Sequence, residues 1–153
     1  MNKKRGTIVE FCCKHFNELT NRELYEILHL RFEIFVMEQE CLYQDLDGLD
    51  LDAYHVFSMQ DGYATSCLRV FSPEEGVAVI GRVVTKVHGQ GLGGKLLHEG
   101  VLTVKKYFPD AKVIRIHAQC YAIGYYRKEG FEVTSEEFME DGIPHVEMKL
   151  VLQ

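Results

Sequence analysis

Apolar positions along this chain change their period several times, and each change marks an element. Gly6 to Cys13 reads as a strand. Thr20 followed by Glu23 forms a capping box, after which Leu24, Ile27, Leu28, Phe32 and Phe35 recur at helical spacing. That predicts a helix burying these five side chains. Beyond an acidic stretch from Asp45 to Asp52, the runs Tyr54 to Met59 and Tyr63 to Phe71 flank an Asp61-Gly62 pair, the signal of a two-residue hairpin. Val77 to Thr85 is a third apolar strand, and it runs directly into glycines at 89, 91, 93 and 94. The helical period returns with Leu92, Leu96, Leu97, Val101, Val104 and Phe108, and Pro109 stops it. Lys112 to Ala118 reads as another strand, followed by a short helix around Ala122 to Glu129 that ends at Gly130. Strands near Phe131 and from His145 to Leu150 flank an Asp141-Gly142 turn. The pattern is that of a mixed α+β domain: a meander, one crossover helix and a closing hairpin, with the glycine loop between a strand and a helix.

Composition narrows this picture. With 153 residues, 46% of them hydrophobic, and no repeat, low-complexity tract or linker, the expectation is one compact domain over residues 1–153. A net charge of -6 argues against a nucleic-acid backbone as partner and favours cationic partners. The five cysteines are odd in number and lack C-x-x-C or zinc-like spacing, which points to a reducing compartment and to no metal. After the basic Met1 to Arg5, only Thr7 to Val9 are apolar before Glu10, too short for a signal core or a membrane span. The reading is therefore cytoplasmic, with no membrane partner. Oligomeric state is left open, a homodimer included.

The glycine loop satisfies two phosphate-binding patterns at once. Gly89, Gly91 and Gly94 fit G-x-G-x-x-G, and Gly89 to Lys95 fit G-x-x-x-x-G-K. Both patterns rest on the same physics: glycines allow close backbone approach, and unpaired N–H groups at a helix start face negative charge. A nucleoside-triphosphatase loop would need Ser or Thr after Lys95, where Leu96 stands. A dinucleotide fold would place the loop in its first βα unit and a carboxylate at the end of the next strand, which here ends in Ala118-Gln119-Cys120. A turn that binds nothing is the remaining alternative.

His88 to Gly93 resembles motif A of the GNAT superfamily of N-acetyltransferases, Gln or Arg, two residues, Gly, one residue, then Gly or Ala. The segment Ala122 to Phe131, with Tyr125, Tyr126, Lys128 and Gly130, resembles the A-x-x-F-Y-x-K-x-G-F run of many members. Within the superfamily the chain is similar to ElaA-like members through Arg31 to Gly48, Ile80 to Val83, Ala118-Gln119 and Glu140 to His145. The resemblance spans roughly Arg31 to Met148. It implies an acyl-CoA N-acyltransferase fold, with a central mixed, mostly antiparallel sheet flanked by helices. It also implies acetyl-CoA as co-substrate, held by His88, Gly89, Gln90, Gly91, Leu92, Gly93 and Gly94, by the strand residues Val83, Val84 and Thr85, and by Gln119 and Tyr126. His88 stands in the slot usually filled by Arg or Gln.

Moving an acetyl group from a thioester to an amine needs a neutral amine, an oriented carbonyl, a donor for the oxyanion and a proton for the leaving thiolate. Tyr126, at the Tyr of the F-Y-x-K-x-G-F pattern, is the expected proton donor; a phenol and a thiol differ by about 2 kcal/mol in acidity. Tyr125 reads as packing. Glu33, Glu38, His55, His117 and His145 are candidates on the acceptor side, with Glu38 and His145 taken as catalytic and Glu33, His55 and His117 as substrate-binding. The stretch Asp45 to Asp52 is not an EF-hand, because Gly48 falls at its fourth position. It reads as a solvated loop, or Asp45 and Asp47 hold a cationic acceptor. Cys120 reads as packing, since direct transfer needs no acyl-enzyme. The sequence therefore points to an N-acetyltransferase acting by direct attack in a ternary complex, on a primary amine of a small molecule or peptide. The alternatives are a non-catalytic acyl-CoA-binding or sensing module and an acyltransferase using a longer acyl-CoA.

Overall fold

The computed structural model describes residues 8–40 and 42–153. The strands are β1 (Phe11–His15), β2 (Tyr54–Gln60), β3 (Tyr63–Glu74), β4 (Val77–Thr85), β5 (Val113–Gln119), β6 (Glu132–Val133), β7 (Phe138–Glu140) and β8 (Ile143–Val151). They form one sheet in the order β1-β2-β3-β4-β5-β8-β6, with β7 also pairing to β8. Every neighbouring pair is antiparallel except β4 and β5. That parallel pair needs a long crossover, which helix α2 (Leu92–Tyr107) provides.

Both Asp-Gly pairs are two-residue hairpin turns. Asp61 and Gly62 have φ of 53 and 83°, and Asp141 and Gly142 have 50 and 77°. Positive φ at both central residues matches the right-handed twist of the flanking strands and fixes the β2/β3 and β7/β8 registers.

Period-2 alternation divides the core between the two faces of the sheet. Val56, Leu68, Val70 and Ile80 pack under Leu96, Leu97 and Val104 of α2 and Tyr126 of α3 (Ile123–Arg127). Their chain neighbours Phe57 and Cys67 turn to the other face, with Ile27 and Leu30 of α1 (Asn21–Arg31) and with Val84. The Thr20–Glu23 capping box is present, each side chain accepting from the other residue's backbone N–H.

Three expectations change. Gly6 and Thr7, the start of the first predicted strand, lie outside the described residues, and the described strand begins only at Phe11. The buried stripe of α1 carries Leu30 and Arg31, while Phe32 is 53% exposed. After Arg31 the chain continues as π-type turns over Phe32–Glu38, and the wider turn rotates later side chains off the expected stripe. The closing hairpin is formed by β7, separate from the two-residue β6 after Phe131. No helix among the described residues is long and apolar enough to cross a membrane.

Candidate active site

β4 and β5 pair only at their beginnings, through Val77–Val79 against Val113–Arg115. β4 runs on to Thr85 and β5 to Gln119, so the two strands part and leave a wedge in the sheet. A bulge lies on β4 at the same level. Gly81 faces Arg69 and Val84 faces Cys67, so Arg82 and Val83 together oppose the single Leu68. Arg82 takes φ of 51°, a left-handed conformation costing a side-chain-bearing residue about 1 kcal/mol or more. Beyond the bulge, the Lys86 N–H donates to the Thr65 carbonyl. The alternation of an antiparallel ladder then aims the Val83 and Thr85 N–H groups toward the wedge.

The glycine loop closes one side of this opening. Gly89 and Gly91 have φ of 82 and 73°, where a side chain would be strained, and a Cβ at either would meet nothing within 4 Å. Gly91 caps α2 with no side-chain hydrogen bond, and the first helical bond is Lys95 N–H to Gly91 O. Among the described residues no backbone carbonyl receives the N–H groups of His88 to Gly94. They form an exposed set of donors at the positive end of a 16-residue helix. This fits a diphosphate.

The two tyrosines of α3 approach the loop and wedge differently. Tyr125 donates its hydroxyl to the Gly93 carbonyl, and its ring lies 3.2 Å from where a Gly93 Cβ would stand. A side chain at Gly93 would press on the Tyr125 ring, whereas at Gly89 and Gly91 it would strain the backbone. Tyr126 is 8% exposed, in ring contact with Tyr125 and Phe131. Burial pushes the phenol well above its ordinary range, so it stays protonated.

Across the wedge, β5 and β8 assemble a polar cluster. His117 donates Nδ1–H to Glu140 Oε1 at 3.0 Å, and Glu140 Oε2 lies 3.5 Å from His145 Nε2. His145 donates its Nδ1–H to the Ile143 carbonyl at 2.7 Å, so that in the neutral ring Nε2 carries the lone pair. Phe138 stacks on His145 and meets His117 edge-on. Gln119 donates to Gln39 at 3.2 Å, and Gln39 donates to the Tyr121 hydroxyl at 3.4 Å, tying the end of the π-type segment to the end of β5. Glu140 and Gln39 fall in sequence blocks already singled out, but nothing in those blocks gave them a role. Cross-strand pairing of Gln119 with His145 does.

Several expected acceptor-side residues lie elsewhere or are already engaged. His55 is 1% exposed and bonded to the Asp50 carbonyl; it is a core histidine, and burial holds its pKa low. Asp45 and Asp47 do not stand free. Asp45 pairs with Arg31 at 3.0 Å and Arg82 at 2.8 Å, and Asp47 with Arg69 at 2.7 Å and Arg82 at 3.2 Å. Asp50 bridges Arg31 and Arg69. Asp45, Asp47 and Asp50 are thus anchors on three arginines, within a stretch whose residues 46–49, 51 and 52 are exposed. Despite burial, the hydrogen bonds from Arg69 lower the Asp47 pKa to about 2. Glu33 lies in a recess with His29, Tyr63 and Lys86 on the α1 face, while Glu38 is exposed beside Gln39. Cys120 donates to Glu137 at 3.7 Å, and Cys41 lies outside the described residues. No group of three potential metal ligands occurs among the described residues.

A wedge between parallel strands beside a bare helix start is the arrangement expected from the resemblance to acyl-CoA N-acyltransferases. Comparison gives the family: residues 21–152 match the model of the acetyltransferase (GNAT) domain, and the chain belongs to this family. It is 33% identical over 147 residues to protein ElaA of Escherichia coli, covering 92% of this chain and 95% of that protein. The crystal structure of E. coli ElaA superposes with a TM-score of 0.87 at 32% identity, over 93% of this chain and 99% of that one. An acyl-CoA N-acyltransferase from Pseudomonas aeruginosa gives 0.85 at 40% identity, over 92% and 98%. A GNAT family acetyltransferase from Elizabethkingia anophelis with acetyl-CoA bound shares the fold at TM-score 0.64 and 16% identity, over 94% and 98%. The chain is accordingly a GNAT-type acyltransferase with an ElaA-like sequence and fold.

Proposed function

We propose that this enzyme transfers the acetyl group of acetyl-CoA to a primary amine by direct attack, with residues 1–153 acting as one catalytic domain. The observation that carries this reading is the parting of β4 and β5 beside the α2 start, whose N–H groups have no backbone acceptor among the described residues. The α2 amides hold the diphosphate, and the Val83 and Thr85 N–H groups orient the pantetheine arm and the thioester carbonyl. Val84, whose side chain is buried against α1, supports that strand from behind.

A lysine-like amine at neutral pH costs about 4 to 5 kcal/mol to deprotonate, so a base is useful. His145 fits best, since Nδ1–H is committed to Ile143 and a proton taken up on Nε2 meets the Glu140 carboxylate. Glu38 is then a lesser candidate: it is exposed and not part of the hydrogen-bonded cluster. His117 and Gln119 line the acceptor's approach. The amine nitrogen attacks the carbonyl carbon, the C–S bond breaks, and Tyr126 gives its proton to sulfur. The second proton leaving the new amide nitrogen restores the phenol. The acceptor is a small-molecule or peptide amine. The four described cysteines are free thiols, which supports a cytoplasmic setting.

Thiol release from acetyl-CoA over a panel of primary amines tests the reading. Turnover is expected with basic amines, and His145→Gln should lose about 10²-fold with them and much less with weakly basic amines that are already neutral. Equal loss across the panel would remove His145 as the base, and no thiol release with any amine would count against the transfer itself.

A further inference from the structure

Arg82 combines two facts that neither the sequence blocks nor the transfer chemistry explains. It occupies the bulge of β4 with a left-handed backbone, although it carries a long side chain. Two acidic residues hold that side chain, by ion pairing at Nε, which makes no hydrogen bond among the described residues, and by hydrogen bonds from Nη2. Its Nε lies 2.8 Å from Asp45 Oδ1, and its Nη2 donates to the Asp45 carbonyl and to Asp47 Oδ2, both at 3.2 Å. The guanidinium also covers the Tyr43 ring at 5.2 Å, and the Tyr43 hydroxyl donates to the same Asp45 oxygen at 2.9 Å.

The two aspartates are themselves fixed from behind. Arg31, 1% exposed, holds Asp45 and Asp50, and Arg69, 3% exposed, holds Asp47 and Asp50. These three arginines come from α1, β3 and β4, and the three aspartates come from the segment before β2. The charges balance, three against three, so the network has no charge left over for a cationic acceptor. Its member nearest the wedge is Arg82, whose own backbone leads directly into Val83 and Thr85 on β4.

We infer that Arg82 is a positioning residue: the acidic segment Asp45–Asp50, acting through its side chain, holds the β4 bulge in the left-handed form that presents the Val83 and Thr85 amides to the thioester. This rests on the transfer reading given above. The role belongs to backbone shape, so it separates substitutions that an ordinary ion-pair role would not. Arg82→Ala removes the grip and disfavours positive φ. Arg82→Gly removes the same grip but adopts positive φ freely.

The test compares both variants and Asp47→Asn with the native enzyme. It measures kcat with acetyl-CoA and an amine, Kd for CoA, and amide hydrogen exchange over residues 81–86 in the unliganded protein. Expected are a fall in kcat of tenfold or more for Arg82→Ala, recovery of at least threefold of that loss in Arg82→Gly, and an intermediate loss for Asp47→Asn. Kd for CoA should change several-fold less than kcat throughout, because the α2 amides that hold the diphosphate are untouched while only the β4 contacts to the pantetheine arm and carbonyl are disturbed. Exchange over residues 81–86 should change in Arg82→Ala and return toward native in Arg82→Gly. Equal kcat and equal exchange for Ala and Gly would overturn the inference, as would native kcat in Arg82→Ala. If the native protein neither binds CoA nor turns over, the transfer reading fails, and the exchange comparison still decides the part played by Arg82. Should Arg82→Ala not fold, Asp47→Asn decides: native kcat and native exchange in that variant would sink the proposal.

Discussion

The adjacent tyrosines of α3 differ in what their hydroxyls do. Tyr125 spends its hydroxyl on the Gly93 carbonyl, which joins α3 to the first turn of α2, while Tyr126 packs by its ring and keeps its proton in an apolar surrounding. Removing only the Tyr126 hydroxyl should therefore act on the leaving group and leave coenzyme binding alone. Tyr126→Phe is expected to lower kcat by about 10²-fold with Kd for CoA changed less than about threefold; unchanged kcat would exclude the phenol as proton donor. The position of Tyr126 on a short helix was legible through a resembling segment. Glu140 was not, because its relation to His117 and His145 exists only once β5, β7 and β8 are paired. His55 misled for the opposite reason. A histidine inside an alternating strand gives no sign of which face it takes, and here that face is the core.

Among elements, local signals fared best where the backbone itself imposes them. The Thr20–Glu23 box, the two Asp-Gly turns and the Leu92–Val104 stripe each depend on a few neighbouring residues, and each stands where the sequence put it. The π-type continuation after Arg31 has a longer repeat that leaves no readable stripe, so Phe32 was misassigned. For the acidic segment the sequence leaves a solvated loop and a cation-holding pair open, because the partners of its aspartates, Arg31, Arg69 and Arg82, are distant in the chain. Its pairing has a consequence for stability. The folded-state pKa of Asp47 is depressed from 3.8 to about 2, so its pairing contributes stability above the unfolded value and loses it as pH falls through that interval. Urea midpoints measured between pH 5 and the acid limit should drop for the native protein, and the drop should be shallower for Asp47→Asn, which starts less stable at neutral pH. An identical slope in the variant would mean that Asp47 is not held by Arg69 and Arg82 in solution.

At the scale of the molecule, the meander, the crossover and the closing hairpin meet at one place. Antiparallel strands β1 to β4 bring the bulge to the wedge, α2 returns the chain so that β5 lies parallel to β4, and the β7/β8 hairpin brings Glu140 and His145 beside the end of β5. The order of these elements was visible in the changes of period along the chain. The wedge was not, since it depends on where strand pairing stops, and neither β4 nor β5 marks Val79 or Arg115 as a last partner. The central claim is that one opening holds both the diphosphate, on the α2 start, and the thioester, beside β4. A crystal structure of the protein with acetyl-CoA tests it most directly. The account predicts the diphosphate on the N–H groups between His88 and Gly94, the thioester carbonyl within hydrogen-bonding reach of the Val83 or Thr85 amide, and the sulfur near the Tyr126 hydroxyl. A coenzyme bound elsewhere, or those N–H groups closed onto the protein's own carbonyls, would contradict it.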